Sequence, residues 1–307
     1  MLDWVVTVMQ ARAARRGARI QALWQGYGEV FRVELDGGLA PTAIVKSVRP
    51  PASERATRSD ERKRRSYEVE LAFYRGLAGR CDDTCRVARL HGARADADGW
   101  LFVLEDLDAA GYPVRHDEAT GPTLEACIAW LAAFHARFLG TPPTGLWPHG
   151  TYWHLATRRD ELAAIADPAL AAIAPAVEAR LAAARYQTIL HGDPKEANFC
   201  FGRAPGAPVA AVDFQYTGAG CAMKDLAYLL YGRVDEPGPH LDAYFRRVRR
   251  ALPERRDLDA IEAEGRALYP VAELDFCRFL AGWRPERWRH DHAGQRTARA
   301  ALAAFTA

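Results

Sequence analysis

The chain has 307 residues, of which 49% are hydrophobic and 26% charged, a composition typical of globular proteins that excludes a wholly disordered or collagen-like chain. Forty-one Lys and Arg against 39 Asp and Glu give a net charge of +2, which excludes non-specific nucleic-acid binding through a large basic surface. The length exceeds the roughly 100–150 residues of a common single domain, so we expect two domains or one bilobal unit.

The first hundred residues predict an antiparallel sheet. Three short runs alternate apolar and polar residues between glycine-containing turns: 20–24, 30–35 and 43–48. A helix is predicted to begin at a solvated, charged segment, 61–65, and to end near Gly79. Two further strands are predicted on either side of a polar turn: 87–93 and 100–104. The first third of the chain is therefore predicted to form strands with one inserted helix.

The remainder predicts mainly helices. Residues 123–139 have apolar side chains at helical spacing, and an alanine-rich segment at 161–184 is interrupted by Pro168 and Pro175. Short strands are expected around His191 and at 209–214. The expected fold class is α+β, with a smaller sheet lobe at 1–106, a larger helical lobe at 107–307, and a cleft between them.

The sequence shows no signal for a membrane, for secretion or for disulfide bonds. No apolar run approaches the ~20 residues of a membrane-spanning helix. The N-terminal apolar run precedes its arginines, the reverse of a secretory signal. The six cysteines show neither a disulfide framework nor zinc-site spacing. We therefore expect a cytoplasmic protein with reduced thiols and with no membrane or nucleic-acid partner.

The most informative motif is His-Gly-Asp-x4-Asn at 191–198, followed by Asp213. Phosphoryl transfer to a hydroxyl needs a carboxylate to accept the proton, and Mg²⁺ prefers oxygen ligands such as Asn and Asp. In kinases, the base Asp lies five residues before a metal-binding Asn, and a second metal-binding Asp follows. Asp193, Asn198 and Asp213 have this order and spacing. The structural alternative is that Asp193 caps a turn and Asn198 opens the next element.

A lysine for the phosphates and a glutamate to hold it are expected beside such a loop. Lys46 ends a predicted strand, and the helix that follows carries Glu68 and Glu70. Glu70 lies on the apolar face with Tyr67, so we assign Glu70 as the partner of Lys46. Taken singly, the two residues are better explained as an edge-strand lysine and a solvated glutamate, and the loop at 191–198 is what favours their functional role.

Two weaker signals complete the predicted nucleotide site. Gly26 and Gly28 lie between the first two strands, where backbone amides can approach phosphates, although a plain hairpin turn explains them as well. An apolar strand then runs into the segment 105–107, where backbone groups of Glu105 and Leu107 are expected to meet an adenine edge. The alternative for that segment is a buried strand end.

Together these residues resemble the aminoglycoside phosphotransferase and choline kinase group. Similarity to its ecdysteroid-kinase-like (CHK kinase-like) branch rests on three motifs: Glu70-x-x-Phe73-Tyr74, Leu-Glu-Asp-Leu at 104–107, and Asp213-Phe214-Gln215. The resemblance implies a protein-kinase-like fold and transfer of the ATP γ-phosphate, with Mg²⁺, to a hydroxyl of a small molecule.

The resemblance also assigns roles. It implies that Asp193 is the catalytic base, that Asn198 and Asp213 bind Mg²⁺, and that Lys46 with Glu70 clamps the phosphates of ATP. By the same resemblance Asp225 is a structural acid that supports the catalytic loop, and His191 orients that loop. Lys195 is a candidate for neutralising the transferring phosphoryl group, although a solvent-facing lysine is almost as good an explanation.

Other functions and roles stay open at this point. A nucleotide-binding pseudokinase and a protein kinase are the alternatives; Gln215 and the short span from Asp213 to Asp225 disfavour a protein substrate. His135 is expected to be a hydrogen-bonded core residue. One aromatic set fits either the core or an apolar or cationic acceptor pocket: Trp147, Tyr152, Trp153, Trp283 and Trp288.

Overall fold

The computed structural model describes residues 1–51, 57–204 and 206–306. In the described part of the first 105 residues lie six strands: β1 (Ala13–Ala22), β2 (Gly28–Asp36), β3 (Thr42–Val48), β4 (Arg86–Val87), β5 (Leu90–Asp96) and β6 (Gly99–Glu105). Five of them form an antiparallel sheet in the order β1-β2-β3-β6-β5. The predicted antiparallel sheet is therefore present, and β3 is its central strand.

Strand β1 begins seven residues earlier than the predicted run at 20–24. It is an edge strand whose side chains are almost all exposed, so it has no alternation of apolar and polar residues to reveal it. Ion pairs to the neighbouring strand β2 hold it instead, from Arg15 to Glu34 and from Arg16 to Glu29.

The sheet is covered by a helix on each face, where one helix was predicted. Helix α1 (Leu2–Met9) was not predicted, because its eight residues carry only a short apolar stripe; it buries Val5 and Met9 against one face of the sheet. Helix α2 (Arg58–Gly76) packs on the other face. Thr57 is the N-cap of α2, and its hydroxyl and the Asp60 carboxylate form a capping box. The helix ends three residues before Gly79.

The remaining residues are mainly helical. The helices are α3 (Gly121–Arg137), α4 (Arg159–Ala163), α5 (Pro168–Ala182), α6 (Met223–Leu230), α7 (Gly238–Ala251), α8 (Leu258–Trp283), α9 (Pro285–Trp288) and α10 (His292–Thr306). Short strands lie between them: β7 (Gln187–Leu190), β8 (Phe199–Phe201), β9 (Val209–Ala211) and β10 (Gly218–Cys221). Pro168 opens α5 and Pro175 lies inside it, so the expected interruption at Pro175 is wrong. Within the described ranges, no helix combines the length and apolarity needed to cross a membrane.

A single hydrophobic core connects the sheet part to the helical part. Phe73 of α2 stacks on Phe214 with ring centroids 3.9 Å apart, and Phe214 also contacts Phe134 and Trp130 of α3. The helical part thus presses Phe214 against α2. This contact fixes Asp213, the residue before Phe214, at the junction of the two parts.

Candidate active site

The loop after β7 is held by Asp225, a buried residue of α6. The Asp225 carboxylate accepts the backbone N–H groups of His191 and Gly192 at 2.7 and 3.0 Å, and it lies 3.1 Å from Nε2 of His135. Gly192 has φ +84°, and a Cβ there would lie 2.1 Å from the carbonyl oxygen of Tyr216. Only glycine therefore fits the turn, and Asp225 supports the loop from below as expected.

His191 is fully committed to local hydrogen bonds. Its Nε2 lies 3.1 Å from the carbonyl oxygen of Val212, and its Nδ1 accepts the backbone N–H of Asp193 at 3.3 Å. Burial lowers the pKa of His191, so the ring is neutral at pH 7. Both nitrogens are used, and His191 orients the loop instead of exchanging protons with a substrate. The buried His135, 3.0 Å from the Tyr244 hydroxyl, is a core residue as predicted.

Asp193 lies at the floor of a cavity with 6% of its surface exposed. Its Oδ2 accepts hydrogen bonds from Nζ of Lys195 at 3.0 Å and from Nδ2 of Asn198 at 3.2 Å. Burial raises the pKa of Asp193 to about 6 despite the opposing charge of Lys195. A carboxyl group with a pKa near neutrality is well matched to accept a proton from a hydroxyl.

Asn198 and Asp213 carry side-chain oxygen atoms of the kind that bind a cation. The Asn198 amide nitrogen donates to the carbonyl oxygen of Asp193 at 2.8 Å, which leaves its Oδ1 as the group that can bind a metal. Asp213 has φ +67°, a left-handed conformation that aspartate tolerates better than most residues and that often marks functional sites. Burial works to raise the pKa of Asp213, but Lys46, Lys63 and other nearby cations outweigh it and lower the pKa.

This donor set fits Mg²⁺ that also binds phosphate. Mg²⁺ usually takes one or two carboxylate or amide oxygens and completes its shell with water and substrate phosphates. In the described part of the chain, no three His, Cys, Asp or Glu side chains are grouped to hold a metal by themselves. The residues present therefore fit a cation that arrives with a nucleotide.

The predicted contact between Lys46 and Glu70 is present. Nζ of Lys46 donates to both carboxylate oxygens of Glu70, at 2.9 and 2.7 Å, and lies 3.5 Å from Oδ1 of Asp213. Burial works to lower the pKa of Lys46, but the two carboxylates outweigh it and raise the pKa. Glu68, the alternative partner, is exposed and pairs with Arg65. A charged lysine is thus held beside Asp213.

Beside this pair lies a narrow cavity of about 190 Å³, hereafter the nucleotide cleft. Apolar side chains from both parts of the chain form its walls: Leu23, Val30, Ile44, Ala88, Leu104 and Val212. Glu105 and Leu107 lie along one edge. Within the described residues no atom accepts the N–H of Leu107, whereas the N–H of Glu105 donates to the carbonyl oxygen of Arg89 at 2.8 Å. Leu107 therefore has a backbone donor available for a ligand.

The cleft edge is tied to the sheet by residues that the sequence did not reveal. Arg32 of β2 donates to Asp106 at 2.6 Å and to Asp108 at 2.6 Å, and Arg86 donates to both carboxylate oxygens of Glu105 at 2.6 Å. The Glu105 carboxylate and its backbone N–H are thus both used structurally.

The glycines of the first turn do not line the cleft. Gly26 lies in a short 3₁₀ turn, and Gly28, with φ +125°, begins β2. A Cβ on Gly28 would lie 2.0 Å from the carbonyl oxygen of Ser47, so close strand packing accounts for the glycine. Their assignment as a phosphate cover remains a prediction without support from the cavity walls.

A second cavity, of about 940 Å³, opens on the other side of Asp213 and is hereafter the acceptor cavity. Asp193 and Lys195 line it, and it shares four residues with the nucleotide cleft: Gln21, Leu23, Asp213 and Gln215. The two spaces therefore meet at Asp213.

The acceptor cavity includes residues that the sequence did not predict. The segment 61–65 is not solvated throughout: Arg62 and Lys63 line the cavity, and Nζ of Lys63 donates to Oε1 of Gln215 at 2.6 Å. Tyr228 lies close to Asp193, and the pKa of Tyr228 is raised, by burial first and by Asp193 second. No local motif marks these positions, since helix packing alone brings them to the cavity.

The aromatic set divides between core and cavity. Tyr152 and Trp283 line the acceptor cavity, whereas Trp147 and Trp153 are buried in the core. Trp288 lines a separate surface groove. Part of this set therefore lies in the core and part lines the cavity, and its role in an acceptor pocket stays a prediction.

One sequence profile of a protein family matches most of the chain. The sequence profile described as the phosphotransferase enzyme family matches residues 19–261. Among functionally curated proteins, no sequence matches the chain.

Solved structures resemble the whole chain. A Thermobifida fusca protein described as a "putative fructosamine-3-kinase" is 18% identical, with a TM-score of 0.59 over 99% of this chain and 98% of that one. The macrolide 2'-phosphotransferase of Brachybacterium faecium is 14% identical, with a TM-score of 0.51 over 98% and 96%. The ethanolamine kinase of Plasmodium vivax is 14% identical, with a TM-score of 0.50 over 94% and 81%. At these identities the likeness concerns the fold, and the predicted protein-kinase-like α+β fold is confirmed.

Proposed function

Because the chain belongs to the phosphotransferase enzyme family, we propose that it transfers the γ-phosphate of ATP, with Mg²⁺, to a hydroxyl group of a small molecule. The observation that carries this proposal is the meeting of two cavities at Asp213. Lys46 lies on one side of that point and Asp193 on the other.

The nucleotide cleft suits ATP. The N–H of Leu107 is a donor for the adenine edge, and apolar side chains enclose the ring. Lys46, held by Glu70, is placed for the phosphates, as positioning requires in phosphoryl transfer. Asn198 and Asp213 would hold Mg²⁺, which neutralises charge on the phosphates when bound.

Asp193 acts on the acceptor. It accepts the proton of the hydroxyl group as the hydroxyl oxygen bonds to the γ-phosphorus and the bond from that phosphorus to the β,γ-bridging oxygen breaks, so ADP leaves. Lys195, 3.0 Å from Asp193, is placed to neutralise the negative charge of the transferring group.

The local structure favours a small acceptor over a protein. Gln215 accepts a hydrogen bond from Lys63, and its backbone carbonyl accepts one from Nε1 of Trp147 at 2.8 Å. The segment between Asp213 and Asp225 is thus pinned where protein kinases carry a long loop for peptides. A pseudokinase is disfavoured because Asp193, Asn198 and Asp213 are all present.

The proposal extends to the branch of the family, the division into lobes and the location in the cell. We assign the chain to the ecdysteroid-kinase-like branch on its Glu70-x-x-Phe73-Tyr74 motif, divide it into lobes at 1–106 and 107–307, and place it in the cytoplasm.

Asp193→Asn tests the proposal. In the variant, the rate of ATP-dependent phosphorylation of hydroxyl compounds should fall about 10²–10⁴-fold. ADP release and the mass gain of the acceptor measure this rate. Binding of Mg·ATP should persist, because Lys46 and the cleft edge are unchanged. Asp259→Asn, at an exposed position of α8, is the matched control. Near wild-type turnover in Asp193→Asn would refute the assigned base.

A further inference from the structure

The acceptor cavity carries an excess of positive charge. Four acidic side chains line it: Glu161, Asp193, Glu196 and Asp213. Seven basic side chains line it: Arg62, Lys63, Arg158, Lys195, Arg233, Arg284 and Arg287. Two basic groups, Lys63 and Lys195, lie beside the catalytic carboxylates, and Arg233 is paired with Glu196. The other four basic side chains are all arginines that line the proposed acceptor cavity: Arg62, Arg158, Arg284 and Arg287.

Two of these arginines form an electrostatically unfavourable pair on the inner wall. Arg158 has 8% of its side chain exposed and donates to Glu161 at 2.8 Å and to the carbonyl oxygen of Tyr152 at 2.6 Å. Arg62 donates to the carbonyl oxygen of Thr157 at 2.9 Å. Burial lowers the pKa of Arg62, and the charge of Arg158 lowers it further. One carboxylate, Glu161, thus faces two partly desolvated guanidinium groups.

The other two arginines lie at the rim. Arg284 and Arg287 are exposed, and neither forms an ion pair with a carboxylate in the described residues. The guanidinium group of Arg284 lies 4.0 Å from the ring centroid of Trp283, which holds it over the opening. These groups are free to bind an anion.

The arginines serve this cavity and not the nucleotide. Arg62, Arg158, Arg284 and Arg287 are absent from the walls of the nucleotide cleft, whose basic side chains are Arg32, Lys46 and Arg115. The same cavity also has an apolar wall: Tyr152, Tyr228, Phe276, Leu280 and Trp283.

We propose that the acceptor is a hydroxyl compound with an apolar or aromatic body and an acidic group, a carboxylate or a phosphate, which the arginines bind while the hydroxyl reaches Asp193. Guanidinium groups match the geometry of carboxylates and phosphates and can bind them through two parallel hydrogen bonds. An anion also offsets the repulsion between Arg62 and Arg158, whereas the ammonium groups of a polycationic acceptor add to it. This inference rests on the proposed function, since it names the acceptor of the same site.

Binding can be measured without turnover in the Asp193→Asn protein. The probes are four matched benzyl alcohols that carry, at the para position, a carboxylate, a phosphonate, a neutral amide or an aminomethyl group. Calorimetry should give dissociation constants at least about tenfold lower for the two anions than for the amine. Tighter binding of the phosphonate than of the carboxylate would identify the acidic group as a phosphate. Equal binding of all four, or tighter binding of the amine, would overturn the inference.

The double variant Arg284→Gln/Arg287→Gln identifies the binding groups. It should weaken binding of the anionic probes about tenfold and leave the affinity for Mg·ATP unchanged. Arg296→Gln, which removes one exposed positive charge from α10 outside the cavity, is the control. Unchanged anion binding in the double variant would contradict the role of the rim.

Turnover by the wild-type enzyme separates the two proposals. If anions bind preferentially but no hydroxyl compound of any charge gains phosphate, the proposed function fails, and only the binding of an acidic ligand by the arginines is supported. If the amine is the best phosphate acceptor, the kinase assignment stands and the inference falls.

Discussion

The environment of Asp193 determines its chemistry. A solvated aspartate has a pKa near 3.9 and is a weak base at pH 7, but burial raises the pKa of Asp193 to about 6. Lys195 and Asn198 hold the carboxylate in place, and Tyr228 lies beside it. The same burial disfavours the ionised form, so this base is kept at a cost in stability.

The pH dependence of the reaction follows from this pKa. Transfer needs ionised Asp193, so kcat/KM for the acceptor should be constant at neutral pH and fall tenfold per pH unit on the acid side. The pKa of about 6 for Asp193 sets the upper limit of the midpoint. The Mg²⁺ that we propose at Asn198 and Asp213 would lower this pKa, so the midpoint should lie at pH 6 or below. A profile from pH 4.5 to 8.5 measures it.

The residual activity of Asp193→Asn is the control for this profile. Without an ionisable group at position 193, the acid limb should disappear. A limb with the same midpoint in the variant would show that another group titrates.

At the level of elements, helix α2 sets the position of Asp213. Gln215 accepts hydrogen bonds from Lys63 at 2.6 Å and from the Ser66 hydroxyl at 3.2 Å, both on α2. One turn later, Glu70 holds Lys46. A single helix therefore positions both Lys46, the proposed phosphate-binding residue, and Gln215, which lies two places after the proposed metal ligand Asp213.

Removing the Gln215 amide tests this coupling. Gln215→Met keeps the volume but leaves the half-buried Lys63 without its acceptor, which should cost about 1–3 kcal/mol of stability and lower kcat about tenfold. Ser66→Ala removes only the weaker donor and should have a smaller effect. Glu68→Gln, on the exposed face of the same helix, is the control. Thermal unfolding and kcat measure both quantities; values unchanged from wild type in Gln215→Met would contradict the coupling.

What the sequence could predict was limited to local patterns. The spacing of Asp193 and Asn198 within one loop, and the strand and helix that carry Lys46 and Glu70, are local and were foreseen. Strand β1 was misplaced because an exposed edge strand has no burial pattern. The arginines of the acceptor cavity come from distant helices and loops, so only the packed structure shows that they share one space.

At the level of the whole molecule, the sheet part and the helical part share one extended hydrophobic core, while α1 packs on the sheet in a smaller, separate one. Phe73 of the sheet part and Phe134 of the helical part both pack on Phe214, and one cluster of buried apolar residues continues through both parts. The boundary proposed near residue 106 therefore crosses a continuous apolar interior. Two lobes with separate cores would be expected to unfold separately, whereas a shared core couples them.

We therefore expect the full chain to unfold in one transition. In calorimetry the van't Hoff enthalpy should equal the calorimetric enthalpy. Phe214→Ala should lower the stability of the whole protein by about 3–5 kcal/mol, because it leaves a cavity between Phe73 and Phe134. Phe305→Ala, at a half-buried position near the C-terminus, is the control and should have a smaller effect. Two separate transitions, with only one moved by Phe214→Ala, would show that the lobes are independent. In that case the contact between α2 and Phe214 could not hold Asp213 between the two cavities.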